Sequence, residues 1–251
     1  MIAVSMVSHG HFELIKELGV LANIAKDSRF SIFLVDNIGE ANFEAWCEKH
    51  GIFYTKNKKK LGFGANNNLN FAWAEKTSRS VDDYFIVLNP DLIADPSTLV
   101  ELEQQSKNYG SPISTVNLFL DRELTLSEDC IRSFPSTMSF LKSFLFGKNS
   151  TIIAKKNITA PVSVDWCAGC LIGFTMSHYR LLNGFDERYF MYCEDIDICY
   201  RSWKIHGKRV MYFPDIKAVH LSQRRSRRFL SKHFYWHAVS ALRFIIGRNF
   251  D

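Results

Sequence analysis

The chain has 251 residues, of which 47% are hydrophobic and 23% charged. That balance excludes an intrinsically disordered protein and is enough for one sizeable α/β core with a small appendage. The net charge of +5 sits in residues 223–251, with seven basic groups against one acid, so a uniformly basic nucleic-acid binder is excluded. No run of about 18 apolar residues marks a membrane span, and the start reads as a strand, not a signal peptide. A cytosolic chain with reduced cysteines is expected.

In chain order, residues 2–7 form an apolar β-rich run. Leu14, Leu18, Leu21 and Ala25 share one helical face. Residues 30–35 predict a buried strand ending at Asp36-Asn37, and 51–55 a short one. Residues 66–76 predict a helix with Leu69, Ala72 and Trp73 on one face. Residues 84–88 predict a buried strand ending at Asn89-Pro90-Asp91, and Pro96 opens a helix over 97–106. This order predicts a mostly parallel sheet covered by helices, with sites at the strands' carboxyl ends. Further on, 113–120 reads as a strand, 137–146 as an apolar helix and 162–174 as strand-like. Residues 194–206 read as a helix and 208–213 as a strand. No linker divides the chain.

Several motifs carry chemistry. Asp91, after a buried strand, suits a divalent cation held against a diphosphate, or else an Asx turn. Gly62 to Asn68 suits a diphosphate at a helix start, or a capped turn. Its missing third glycine disfavours a nicotinamide oxidoreductase. Carboxylates Asp186, Glu187, Glu194, Asp195 and Asp197 lie among Phe185, Tyr189, Phe190 and Tyr192. That mixture suits sugar binding and a carboxylate raised toward general-base duty. The 21 phenylalanines fit sugar or lipid contact and a Phe-rich core equally well. Cys167-x-x-Cys170 with Cys193 and Cys199 has a zinc-like content, but an extended backbone separates the first two, so buried thiols are preferred. His9 and His11 either line the donor site or cap the first helix. The basic, aromatic tail suits an interfacial helix on anionic lipid, or a helix packed on its own domain.

In order and spacing, these elements resemble the family 2 inverting glycosyltransferases of GT-A fold, over roughly residues 2–221. The nearest likeness is to bacterial rhamnosyltransferases of O-antigen, lipopolysaccharide and cell-wall assembly. The resemblance implies a GT-A domain over 1–222, with a donor half to about 120 and an acceptor half from 121. Residues 223–251 would be a C-terminal extension. It implies donor contacts from Asp36, Gly64, Asn67, Asn68, Asn89 and Asp91, with acceptor contacts from Trp166, Gly169 and Glu194. Asp195 would be the catalytic base, and Asp91 with His220 would hold Mg²⁺ or Mn²⁺. Asn89 replaces the first aspartate of the family's DXD element, leaving the metal to Asp91, and Asn70 replaces a usual glycine. The implied donor is dTDP-L-rhamnose and the implied acceptor a polyprenyl-diphosphate-linked saccharide. The enzyme would then work peripherally on the cytoplasmic face of the inner membrane, with no nucleic acid partner. A transferase using a UDP-hexose, and a non-catalytic carbohydrate- or lipid-binding subunit, are the alternatives.

Overall fold

The computed structural model describes residues 1–78, 80, 82–136, 151–222 and 232–249. Strands β1 (Ile2–Ser8), β2 (Phe30–Asp36) and β4 (Tyr84–Leu88) are covered on both faces, which explains their near-continuous apolar sequences. Between them come α1 (Phe12–Leu18), α2 (Val20–Ile24), α3 (Phe43–Lys49), β3 (Phe53–Lys56) and α4 (Phe63–Thr77). These four strands pair in parallel in the order β3-β2-β1-β4, as the alternating first half predicts.

The second half is mixed. It comprises β5 (Leu92–Ile93), α5 (Pro96–Asn108), β6 (Ile113–Phe119), β7 (Ile131–Arg132), β8 (Val162–Val164) and β9 (Trp166–Cys167). β10 (Leu171–Thr175), α6 (Met176–Leu181), α7 (Glu194–His206), β11 (Val210–His220) and α8 (Lys232–Asn249) follow. The sheet continues from β4 through β10, β6 and β11 to β5, while β7 and β9 form a separate ribbon. β10 is antiparallel to both β4 and β6, and β11 is parallel to β6. Hence β6 and β11 run the same way as β1 to β4, and all their carboxyl ends open on one edge. β10 runs the other way, so the residues just before it reach that same edge. The register of β11 shifts between Phe213 and Lys217, around Pro214, which has no N–H to give the ladder.

Two predicted helix faces differ. The expected continuous face from Leu14 to Ala25 is broken at Gly19, whose φ of 66° ends α1. Of the expected set Leu21 is buried, and it is joined inside by Phe12, Ile15, Val20 and Ile24, while Leu14, Leu18 and Ala25 are half-buried. In α4 the inward face is Asn66, Asn67, Asn70, Phe71 and Ala74, and Ala72 and Trp73 point outward. Amides win the inside because each is paired. Ser5 Oγ donates to Asn67 Oδ1 at 2.6 Å, and Asn70 Nδ2 donates to Ser5 Oγ and the Met6 carbonyl. Asn66 Nδ2 donates to the carbonyls of Leu61 and Gly62. Hydropathy alone scores those positions as surface, but satisfied buried amides cost little. The helix expected at 137–146 lies outside the described residues.

The first turn of α4 also packs tightly on the loop before α7. A Cβ at Gly64 would lie 2.7 Å from Phe185 Cβ. Gly64→Ala should therefore destabilise the fold by about 1–3 kcal/mol through overpacking, read as a lower urea midpoint with unchanged m-value.

Candidate active site

Three chain segments converge on the carboxyl edge. First, β5 pairs antiparallel with the end of β11, with Leu92 opposite His220, and the Leu221 N–H donates to the Asp91 carbonyl. This register sets His220 Nε2 3.1 Å from Asp91 Oδ1. Second, Leu171 pairs with Leu88, and the Asn89 N–H donates to the Cys170 carbonyl at 2.9 Å. Third, the Gly169 N–H donates to Asp195 Oδ2 at 3.1 Å, at the first turn of α7. Two adjacent residues, Gly169 and Cys170, thus join the Asp195 carboxylate to the Asp91–His220 pair.

The electrostatics sort the acids. Burial raises Asp195, opposed by hydrogen bonds from the Ile196 and Gly169 N–H groups and by the Arg132 charge. Glu194 is pushed up to about 8, by burial first and the Asp195 charge second. Its Oε2 is buried without a hydrogen-bond partner. Burial thus raises both adjacent carboxyls, and only Asp195 has N–H groups of other residues and a cation that favour its charged form over its neighbour's. Asp197, the other candidate, is bound to Arg201 at 2.8 Å, and Arg201 also donates to the carbonyls of Leu182 and Gly184. Burial raises Asp197 and Arg201 opposes that shift, so the network gives this acid a structural partner. At His220, burial opposes the charged ring. Hydrogen bonds to Asp91, Cys170 and Glu128 outweigh it and raise the imidazole above its ordinary value.

Asp91 and His220 offer one oxygen and one nitrogen donor on a shared edge, a set that suits Mg²⁺ or Mn²⁺. Glu128, Cys170 and His220 form a second cluster, with ligand atoms within 4.8 Å of one another. Burial pushes the Cys170 thiol up to about 11, and sulfur is a soft donor, a poor match for a hard cation. All six cysteines are buried and free of disulfides, as the preferred reading of them expects.

Trp166 donates from Nε1 to the Ser133 carbonyl and lies under the Arg132 guanidinium at 5.2 Å. Tyr192 and Cys193, just before Glu194, both have positive φ, 70° and 66°. Non-glycine residues pay about 1–2 kcal/mol each for that conformation. α8 packs over this segment: Ser240 Oγ donates to the Met191 carbonyl, Trp236 meets Phe190 and His237 meets Tyr192. One face of the helix thus packs on its own domain. The basic stretch from Arg224 to Arg228 lies outside the described residues.

Four of the expected donor residues are engaged within the protein itself. The Asp36 carboxylate is fully buried and accepts from the N–H groups of Ile38, Gly39 and Glu40 and from the Tyr54 hydroxyl. Asn67 is fully buried against β1. Asn68 Oδ1 accepts from Tyr179 and the Phe185 N–H, and its Nδ2 donates to Phe185 and Glu187. Gly64 is a close-packing position. The 64–68 stretch is the first turns of α4, not an open loop. His11 sits at the N-cap of α1 without a side-chain cap bond, and His9 Nδ1 lies 3.1 Å from Asn37. Sequence reasoning missed Glu128 and Arg132, because one stands in the irregular stretch after β6 and the other in the two-residue strand β7, with no motif around either.

The fold and the site together define a GT-A glycosyltransferase. The chain is 37% identical to rhamnosyltransferase WbbL of Escherichia coli K12, over all of this chain and 97% of that one. It belongs to the family 2 rhamnosyltransferases. The N-acetylglucosaminyl-diphospho-decaprenol L-rhamnosyltransferase of Mycobacterium tuberculosis is 27% identical over 67% of this chain and 57% of its own length. Among solved structures, GalNAc-T7 with UDP, GalNAc and Mn²⁺ superposes with a TM-score of 0.62 at 13% identity, covering 88% of this chain and 43% of that one. The chain matches no protein-family model.

The Glu194 carboxyl yields a stability test. Its pKa is higher folded than unfolded, so the folded state holds the extra proton between about 4.5 and about 8. Stability must fall as pH rises through that window. Glu194→Gln removes this dependence. The two proteins should melt alike near pH 4, and the variant should melt higher at pH 9, in thermal scans at each pH.

Proposed function

We propose that the protein transfers L-rhamnose from dTDP-L-rhamnose, with inversion, to a hydroxyl of a polyprenyl-diphosphate-linked saccharide during cell-surface polysaccharide synthesis. The single observation that carries the reading is the linkage of Asp195 to the Asp91–His220 pair through Gly169 and Cys170 at one sheet edge. The activity of the mycobacterial relative, an N-acetylglucosaminyl-diphospho-decaprenol L-rhamnosyltransferase, supports the acceptor class.

In this reading Asp195 takes the acceptor proton as the hydroxyl oxygen attacks the anomeric carbon. The bond from that carbon to the nucleoside diphosphate breaks, and the diphosphate departs with its electron pair. Burial strengthens Asp195 as a base. The Gly169 N–H fixes which oxygen faces the acceptor. Asp91 and His220 would hold Mg²⁺ or Mn²⁺, which supplies charge neutralisation for the leaving diphosphate. Asn89 borders the donor side, and Trp166, Gly169 and Glu194 border the acceptor side. Asp36, Gly64, Asn67 and Asn68 act one layer back, holding the loops and α4 that frame the donor.

The protein given dTDP-L-rhamnose and a polyprenyl-diphosphate-GlcNAc acceptor should yield a rhamnosylated product by mass, and UDP-hexoses should not. Asp195→Asn should reduce turnover by a factor on the order of 10² or more while donor binding survives. Near-normal turnover in that variant would take the base role from Asp195. No turnover with any nucleotide sugar would favour a non-catalytic binding subunit.

Membrane attachment is part of the same reading. No described helix is long and apolar enough to cross a membrane. The outer face of α8 carries exposed Tyr235, Val239, Leu242 and Ile246 at helical spacing, and the basic cluster Arg224, Arg225, Arg227 and Arg228 precedes it in the chain. Anionic lipid contributes about 1 kcal/mol per engaged basic residue. The protein should sediment with anionic but poorly with neutral liposomes, and replacing the four arginines by Ser should release it. Equal sedimentation with both liposome types would reject an electrostatic anchor.

A further inference from the structure

The His220 ring is gripped on both edges. Nε2 lies 3.1 Å from Asp91 Oδ1, and Nδ1 lies 2.8 Å from Glu128 Oε1. The two ring nitrogens point away from each other, so the carboxylates of Asp91 and Glu128 address opposite sides of the imidazole. A single cation shared with Asp91 therefore sits on the Nε2 side, and Glu128 can reach it only through the ring. Resting on the reading that Asp91 and His220 hold the divalent cation, we infer that Glu128 is a positioning residue. By accepting the Nδ1–H, it fixes the tautomer and orientation in which His220 Nε2 is free to ligate.

Three observations carry this. The 2.8 Å contact has the length of a charge-assisted hydrogen bond, and a carboxylate in that place also raises the electron density of the distal nitrogen. Glu128 is held where it must be by the backbone: its N–H donates to the Leu118 carbonyl and its carbonyl accepts from the Cys130 N–H. It therefore stands just past the carboxyl end of β6, the neighbour of β11, whose last residue is His220. Its second oxygen, Oε2, is buried with no hydrogen-bond partner among the described residues, so the contact with His220 is what engages this side chain.

The alternative, that Glu128 ligates directly alongside Cys170, needs a hard cation beside a soft sulfur donor and leaves Asp91 on the far side of the ring. The geometry favours the through-ring role.

The test is Mn²⁺ binding by the full-length protein without donor or acceptor, followed by electron paramagnetic resonance of free Mn²⁺. Wild type should bind and Asp91→Ala should not. Glu128→Ala should weaken binding on the order of 10- to 100-fold, the usual cost of losing such a partner. Glu128→Gln, whose amide oxygen still accepts from Nδ1–H, should recover most of it. Circular dichroism melts check that each variant is folded. Failure of wild type to bind Mn²⁺ would overturn the cation assignment to Asp91 and His220. Binding by wild type with unchanged affinity in folded Glu128→Ala would overturn the role of Glu128 alone. Loss in Glu128→Gln as complete as in Asp91→Ala would make Glu128 a direct ligand and overturn the through-ring role.

Discussion

The antiparallel insertion of β10 between β4 and β6 is the constraint on which the site depends. With Leu171 opposite Leu88, the residues before β10 arrive at the carboxyl edge instead of the opposite one. Gly169 then meets Asp195, and Cys170 meets Asn89. Were β10 parallel, Trp166 and Gly169 would lie at the far end of the sheet, about 17–20 Å away for a strand of ordinary length. The same reversal restores β6 and β11 to the direction of β1 to β4. That brings Glu128 and His220 to the edge where Asp91 already stands.

Around that edge the protein uses buried polar groups as fixed supports. Asp36 gathers three backbone N–H groups and the Tyr54 hydroxyl; Glu40 in turn accepts from Ser8, His11 and Phe12. The asparagines of α4 tie the helix to β1 and, through Asn68, to the 184–187 loop. Each bond contributes only about 1 kcal/mol net, but leaving any partner unpaired costs more, so the set enforces one geometry. Rigid loops at the site follow from amides that hydropathy would assign to the surface.

Strain is concentrated next to the proposed base. Tyr192 and Cys193 hold left-handed conformations immediately before Glu194. The cost is offset by burial of Tyr189, Cys193, Ile196, Tyr200, Ala241 and Phe244 in a small second core between α7 and α8. The C-terminal helix therefore does two things in space. Its inner face stabilises the turn that aims Glu194 and Asp195, and its outer face leaves an apolar stripe exposed.

The sequence by itself determined the parallel first half, because β1, β2 and β4 are buried on both faces and so appear as unbroken apolar runs. It determined α7 from 194 to 206, where an acidic first turn, helical spacing and Gly207 agree. It also singled out Asp91 and His220, at or just past strand ends, and Asp195, in the acidic opening of α7. Only the tertiary structure decided the rest. The inward face of α4 rests on partners in β1 that lie more than 60 residues away. The saturation of Asp36 depends on the path of the loop that follows it. Glu128 has no local signal at all, because its meaning comes from standing 2.8 Å from a histidine 92 positions further along the chain. Periodicity reports how one element faces the core. Which strand end lies beside which is set by pairing between distant segments, and that pairing has no trace in any short window of sequence.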